Sequence, residues 1–215
     1  MVHRYWPLFD LRIETPDLIL RPMTEADQPA IADLLPDDVE LDPAATRYAT
    51  ADARVARGTV VHQSYWKAYG TWRPEAWRVS FVVSAAGQII GAQELEGNDF
   101  PALGTVDTAS FLIPSARGRG HGKQMRRAVL ALAFGPLGAQ AAITSAWHDN
   151  HASLGVSRTL GYQPNGESLQ TRGNSADVMM HLRLLRTGWL ANGGAAGIHI
   201  TGFEPCQHLF GLTTS

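Results

Sequence analysis

The alternation of apolar and polar positions changes period several times along the chain, and each change marks an element. Leu18-Ile19-Leu20-Arg21-Pro22 reads as a short strand. Thr24 follows as a helix N-cap with Asp27 at the capping-box position, which predicts a helix to about Leu35. Residues 36–50 are acidic and contain prolines, so they read as a loop. Residues 51–69 carry a loose helical pattern with Val55, Val61, Tyr65 and Trp66 as its apolar face. Residues 77–85 and 88–95 are apolar runs around Ala86-Gly87, a hairpin signal. Residues 98–104 are a turn-rich connection. Residues 105–113 form the next strand, 114–122 a glycine-rich loop, and a helix follows to Phe134, with Met125, Val129 and Leu132 as its core stripe. After Gly135-Pro136 come a strand over 141–147, a helix over 150–160 closed by Gly161, and a strand over 178–185. Ile198–Thr201 is a candidate further strand. This order predicts an α/β protein with a mixed sheet, in which hairpins precede a βαβα segment.

Composition fits one domain with a sizeable core. The chain has 215 residues, 45% of them apolar and 18% charged, so wholesale disorder is excluded. No apolar run approaches the roughly 20 residues that span a bilayer, and the start lacks the apolar stretch of a signal peptide. A soluble, cytoplasmic protein that binds no membrane is the expectation. The net charge of −2 argues against a partner held by bulk positive charge, so no nucleic acid is expected. Cys206 is the single cysteine and reads as a buried structural thiol. The eight histidines show no metal-site spacing, so no metal is expected.

The charge is nevertheless unevenly placed. Residues 10–52 hold eleven acids against three arginines, whereas 108–148 contain no acid at all. That second stretch carries Arg117, Arg119, Lys123, Arg126 and Arg127 interleaved with glycine. A strand feeding a glycine-rich loop that opens a helix aims unpaired amides and the positive helix end at one spot. Such a spot suits a phosphate or pyrophosphate. The loop fails the Walker spacing, because Arg117 and Gln124 stand where glycine and Ser/Thr are needed, and it fails the dinucleotide fingerprint too.

What the loop fits is Arg-x-x-Gly-x-Gly, as Arg117-x-x-Gly120-x-Gly122. With Asn150-His151-Ala152-Ser153 opening a helix that ends in Gly161-Tyr162, and with Leu20-Arg21-Pro22 before Thr-x-x-Asp, the chain resembles the GCN5-related N-acetyltransferase (GNAT) superfamily. The branch it looks most like acetylates protein N-termini and small amines. The resemblance covers roughly residues 16–185, with 186–215 as an extension of one acyltransferase domain.

The resemblance implies a mostly antiparallel sheet flanked by helices, with strands 105–113 and 141–147 splayed around acetyl-CoA as cosubstrate. It implies that backbone at Phe111, Leu112 and Ile113 pairs with pantetheine. Gly118, Gly120, His121 and Gly122 would cradle the pyrophosphate, with Arg117, Arg119 and Lys123 neutralising it and Arg126 or Arg127 reaching the 3′-phosphate. Asn150, with Ser153, would meet the pantetheine near the reacting carbon, although asparagine is equally a plain N-cap. The Leu112 or Ile113 amide would stabilise the oxyanion. Ser157 stands where many members place the tyrosine that protonates the thiolate. Asp107 and Glu94, acids in otherwise apolar strands, rank equal as general base, with His148 behind.

The acceptor site is expected from residues 23–77, which hold Asp37, Asp38, Glu40, Asp42, Trp66, Trp72 and Trp77. An amine-bearing small molecule or peptide is the expected acceptor, attacked directly in a ternary complex. The alternatives are a non-catalytic acyl-CoA sensor and an enzyme using a larger acyl group such as succinyl. A homodimer through the apolar tail is a candidate assembly.

Overall fold

The computed structural model describes residues 3–40 and 52–212. Nine strands form one sheet: β1 (Arg12–Glu14), β2 (Leu18–Pro22), β3 (Trp77–Ala85), β4 (Gln88–Gly97), β5 (Thr105–Leu112), β6 (Ala141–Trp147), β7 (Gln163–Arg172), β8 (Ser175–Leu185) and β9 (His199–Thr201). Their spatial order is β7-β8-β6-β5-β4-β3-β2-β1-β9. Every neighbouring pair is antiparallel except β5 with β6. The helices are α1 (Gln28–Leu34), α2 (Ala53–Gly70), α3 (Phe100–Leu103), α4 (His121–Phe134), α5 (His151–Thr159) and α6 (Arg186–Ala191).

The central strands are covered on both faces. On one face Val79, Phe81, Val83, Leu95 and Val106 pack against Met125, Val129 and Leu132 of α4. On the other, Val82 and Ala92 meet Met23 and Ile31, with Val61 and Tyr65 of α2 over them. Burying each such aliphatic side chain contributes about 1.5–3 kcal/mol relative to leaving it in water. The hairpin turn at Ala86-Gly87 forms with both residues at positive φ, 47° and 78°, the geometry that matches strand twist.

The expected elements are present, and several were not foreseen. The polar strand β7 is almost wholly exposed, so hydrophobic period gave no sign of it. Strand β1, helix α3 and helix α6 are each six residues or fewer, too short for a period to show. The face that α2 buries is Val60 and Ala68, with Val61 and Tyr65 partly buried beside them, while Val55 and Trp66 are 57% and 52% exposed. The helix offers one stripe to the sheet, and those two residues fall outside it. The capping box at Thr24 and Asp27 forms. Arg21 grips the same carboxylate through two hydrogen bonds of 2.6 and 2.7 Å, fixing α1 to β2. Within 36–50, residues 41–50 lie outside the described residues, Asp42 among them.

The tail returns to the body. Strand β9 pairs with β1, Phe210 packs against Trp72 and Trp77, and the Trp72 indole donates to the Leu209 carbonyl at 2.8 Å. Cys206 is fully buried, and burial pushes its thiol up to about 12. Iodoacetamide at mildly alkaline pH is therefore expected to leave Cys206 unlabelled until the protein unfolds. Rapid labelling of the native protein would contradict this packing.

Candidate active site

The site begins where two neighbouring strands part. Strands β5 and β6 pair at Thr105↔Ala141, Val106↔Ala142 and Asp107↔Ile143, and there the ladder stops. One rung further, the Thr144 hydroxyl donates to the Thr108 carbonyl at 2.9 Å, a side-chain stitch at the apex of a V. Beyond it β5 stays paired to β4 and β6 to β8. The facing edges, 109–112 and 145–147, therefore leave a slot between them with backbone groups to offer a third extended chain.

Strand alternation decides which groups those are. The Ile113 amide donates to the Ile90 carbonyl at 2.9 Å, so it points toward β4. Residues two apart share a direction, so Phe111 points the same way, and Leu112 and Ser110 face the slot. This corrects the expectation for Phe111 and Ile113: two of the three expected backbone partners belong to β4. Leu112 keeps its amide for the slot while its carbonyl accepts from Arg117 Nε at 3.0 Å.

The slot leads to the glycine loop. Gly118 and Gly120 have φ of 73° and 82°, and a Cβ built on either meets nothing within 4 Å. The amides of residues 118–123 make no hydrogen bond to any described residue. Arg119 and Lys123 are exposed and form no ion pair among the described residues. His121 Nδ1 is buried without a partner. Open space, successive free amides and two unpaired cations fit a pyrophosphate. Three other cations are placed differently from expectation. Arg117 makes two hydrogen bonds to Asp38, at 2.5 and 2.8 Å. Arg126 is buried against Thr144 and Ser157, because its turn of α4 lies under α5 rather than facing solvent. Arg127 holds the carbonyls of Gly194 and Ala196, clasping the tail.

On the α1–α2 face, the apex of the V opens into a cavity of about 480 Å³. The sheet contributes its acids by register. Arg78, Glu96 and Asp107 stand opposite one another across β3, β4 and β5, and Ser80, Glu94 and Ala109 form the next row. All these residues line the cavity, with Glu40, Ile31 and Tyr65 in the opposite wall and Ser145 and Phe111 at the slot. Burial pushes Asp107 up to about 6; the Thr108 amide opposes this and the Glu96 charge adds to it. Burial also raises Glu94, against the pull of Arg78 and a 3.1 Å hydrogen bond from Ser80. Arg78 is paired with Glu96 at 2.8 Å.

The remaining candidates lie elsewhere. Ser157 is buried, and its hydroxyl donates to the Ser153 carbonyl at 3.0 Å, which turns its proton away from the slot. His148 sits outside the cavity lining, its Nδ1 3.1 Å from Asp177. The same cluster holds Arg172, which binds Glu40, Asp149 and Asp177 and lies over the Trp147 ring at 5.1 Å. Asn150 caps α5, accepting from the Ser153 amide at 3.0 Å. Of the expected aromatic wall, Trp77 is a core residue against Phe100 and Phe210, and Trp66 faces outward. Among the described residues no group of three or more His, Cys, Asp or Glu could hold a metal ion, and no helix is long and apolar enough to cross a membrane.

A parted strand pair beside an anion cradle and a carboxylate-lined cavity is the frame of an acyl-CoA transferase. The family model for the acetyltransferase (GNAT) domain matches residues 17–163, and the chain belongs to that family. Among solved structures, RimJ of Mycobacterium smegmatis in complex with CoA-disulfide is similar at TM-score 0.65 and 15% identity, covering 87% of this chain and 97% of that one. The spermidine/spermine N-acetyltransferase SpeG of Vibrio cholerae is similar at TM-score 0.62 and 16% identity, covering 81% and 96%. A ribosomal-protein-serine acetyltransferase of Vibrio cholerae, so described provisionally, is similar at TM-score 0.62 and 13% identity, covering 82% and 98%. The protein is an N-acetyltransferase enzyme that works with acyl-CoA.

Proposed function

We propose that the protein transfers an acetyl group from acetyl-CoA to a primary amine by direct attack in a ternary complex. The observation that carries this reading is the meeting of the β5–β6 slot with the Glu94–Glu96–Asp107 cavity at one apex. Residues 118–123 hold the pyrophosphate through their amides, with Arg119 and Lys123 beside them. The Leu112 amide, at the glycine-loop end of the slot, pairs with the pantetheine arm. Asp107, at the last position of β5 that pairs with β6, takes the proton from the amine, a task its raised pKa suits. The amine nitrogen forms the new bond to the thioester carbon, the amide of Ser110, the slot-facing residue nearer the apex, donates to the oxyanion in place of the expected Leu112, and the carbon–sulfur bond breaks as thiolate leaves. A panel of amines against acetyl- and succinyl-CoA, read as free thiol released, tests the reading. Coenzyme A binding without steady thiol release from any pair would mark a sensor instead.

The Arg117–Asp38 pair bears on this. Asp38 and a bound pyrophosphate compete for one guanidinium, so Asp38→Asn is expected to tighten coenzyme A binding by up to about fivefold. That is the scale of a surface ion pair, about 1 kcal/mol or less. The effect should shrink in high salt. Weaker binding in the variant, measured by calorimetry, would show that Arg117 serves the loop 36–40 rather than the phosphate.

A further inference from the structure

The acid-lined cavity has a second compartment. A cavity of about 600 Å³ lies between the C-terminal end of α2 and the start of β3, lined by Lys67, Trp72, Arg73, Arg78, Glu96 and Asn98. Arg78 and Glu96 line both spaces, so the two meet at that ion pair. Their charges are opposite. The inner space holds Glu94 and Asp107, whereas the outer one holds Lys67 and Arg73, neither of which has an ion-pair partner among the described residues. Glu96, the outer space's one carboxylate, is already neutralised by Arg78 and accepts from Asn98 at 2.9 Å. Trp72 supplies a half-buried apolar wall between the cations.

We propose that the outer compartment is an anion subsite of the acceptor site, so that the preferred acceptor carries its reactive amine at one end and a carboxylate at the other. This deepens the acetyl-transfer reading and rests on it. The spacing follows from the sheet. The row of Glu94 and Ala109 stands at the slot, Arg78 is one side-chain step along and two strands across, and such a diagonal is about 10–15 Å. An extended peptide of about three or four residues, with its own C-terminal carboxylate, covers that distance. So does an ω-amino acid of about eight to eleven carbons. Both present the same chemistry, a chain with an ammonium and a carboxylate at opposite ends.

Matched acceptors test this. Tetra-alanine as the free acid is compared with its C-terminal amide, and the ω-amino acids with diamines of equal length. In the wild-type enzyme the carboxylate member of a pair should show a kcat/KM at least about tenfold higher, the size one charge-assisted hydrogen bond supports. The double variant Lys67→Gln, Arg73→Gln should lose most of that preference through KM, with kcat and coenzyme A affinity unchanged. A preference in only one series identifies the source as peptide or ω-amino acid. Equal use of both members of every pair, or a preference that survives the double variant, overturns the inference and leaves acetyl transfer standing. Calorimetry with the same carboxylate compounds on the coenzyme A complex separates the two failures. Binding that weakens about tenfold in the double variant without turnover of any amine supports the subsite and defeats the catalytic reading. No binding and no turnover of any carboxylate compound defeats the subsite.

Discussion

Asp107→Asn is expected to lower kcat by at least about a hundredfold near neutral pH, the loss typical of a missing general base, while coenzyme A affinity stays within about twofold. The pH dependence has a definite sign. The wild-type base is active as carboxylate, so activity should fall as pH drops through about 6, the value to which burial raises Asp107. The variant should lack that limb, and its deficit should shrink at high pH, where more of the amine is already deprotonated. Stability should move the other way. A carboxylate with a folded pKa near 6 and an unfolded value near 3.9 destabilises the fold when ionised. That penalty grows as pH rises between those values and is complete above them. The variant should therefore match or exceed the wild-type Tm at neutral pH and lose the advantage in acid. Glu94→Gln is the companion experiment, since Glu94 shares the cavity. Near-normal turnover in both variants would defeat the assignment of the base to these acids, and ping-pong kinetics or a trapped acyl-enzyme would refute direct transfer.

Gly120→Leu is expected to weaken coenzyme A binding by at least about a hundredfold, or about 2.7 kcal/mol. The side chain would project into the open space above the free amides, where the pyrophosphate must approach. Part of any effect would come from the backbone, because Gly120 sits at φ 82° and a side chain there costs about 1–2 kcal/mol. Gly138→Leu controls for that strain. Gly138 has φ 73°, its Cβ position is equally open, and it lies in the turn between α4 and β6. Both variants should lose a few degrees in Tm, but only Gly120→Leu should lose the cosubstrate. Unchanged affinity in folded Gly120→Leu would sink the assignment of the loop.

The glycine loop and the acid pair differ in how legible they are in the sequence. The loop's positive-φ glycines and cations follow one another along the chain, so local pattern was enough to find it. Asp107 and Glu94 were visible as acids among apolar neighbours, but their joint placement needed the strand register. The row of Arg78, Glu96 and Asp107 joins residues far apart in the chain, and Glu96 and Arg78 gave no sign of belonging to a site. Arg126 showed the reverse problem. Its charge suggested solvent or phosphate, and only the packing of α5 over α4 buries it against Ser157.

The sequence by itself determined the α/β order, the glycine loop at a strand-to-helix junction, the Asn150 cap and the family, because each rests on neighbours within a few residues or on spacing along the chain. The tertiary structure alone decided which backbone amides of β5 face the slot, that Asp38 holds Arg117, that Ser157 and His148 lie outside the cavity lining, bonded to Ser153 and Asp177, and that the carboxylates gather at the apex. These are outcomes of register, of loop closure across long separations and of burial. Such relations depend on which distant segments meet, and no local period or residue spacing encodes that.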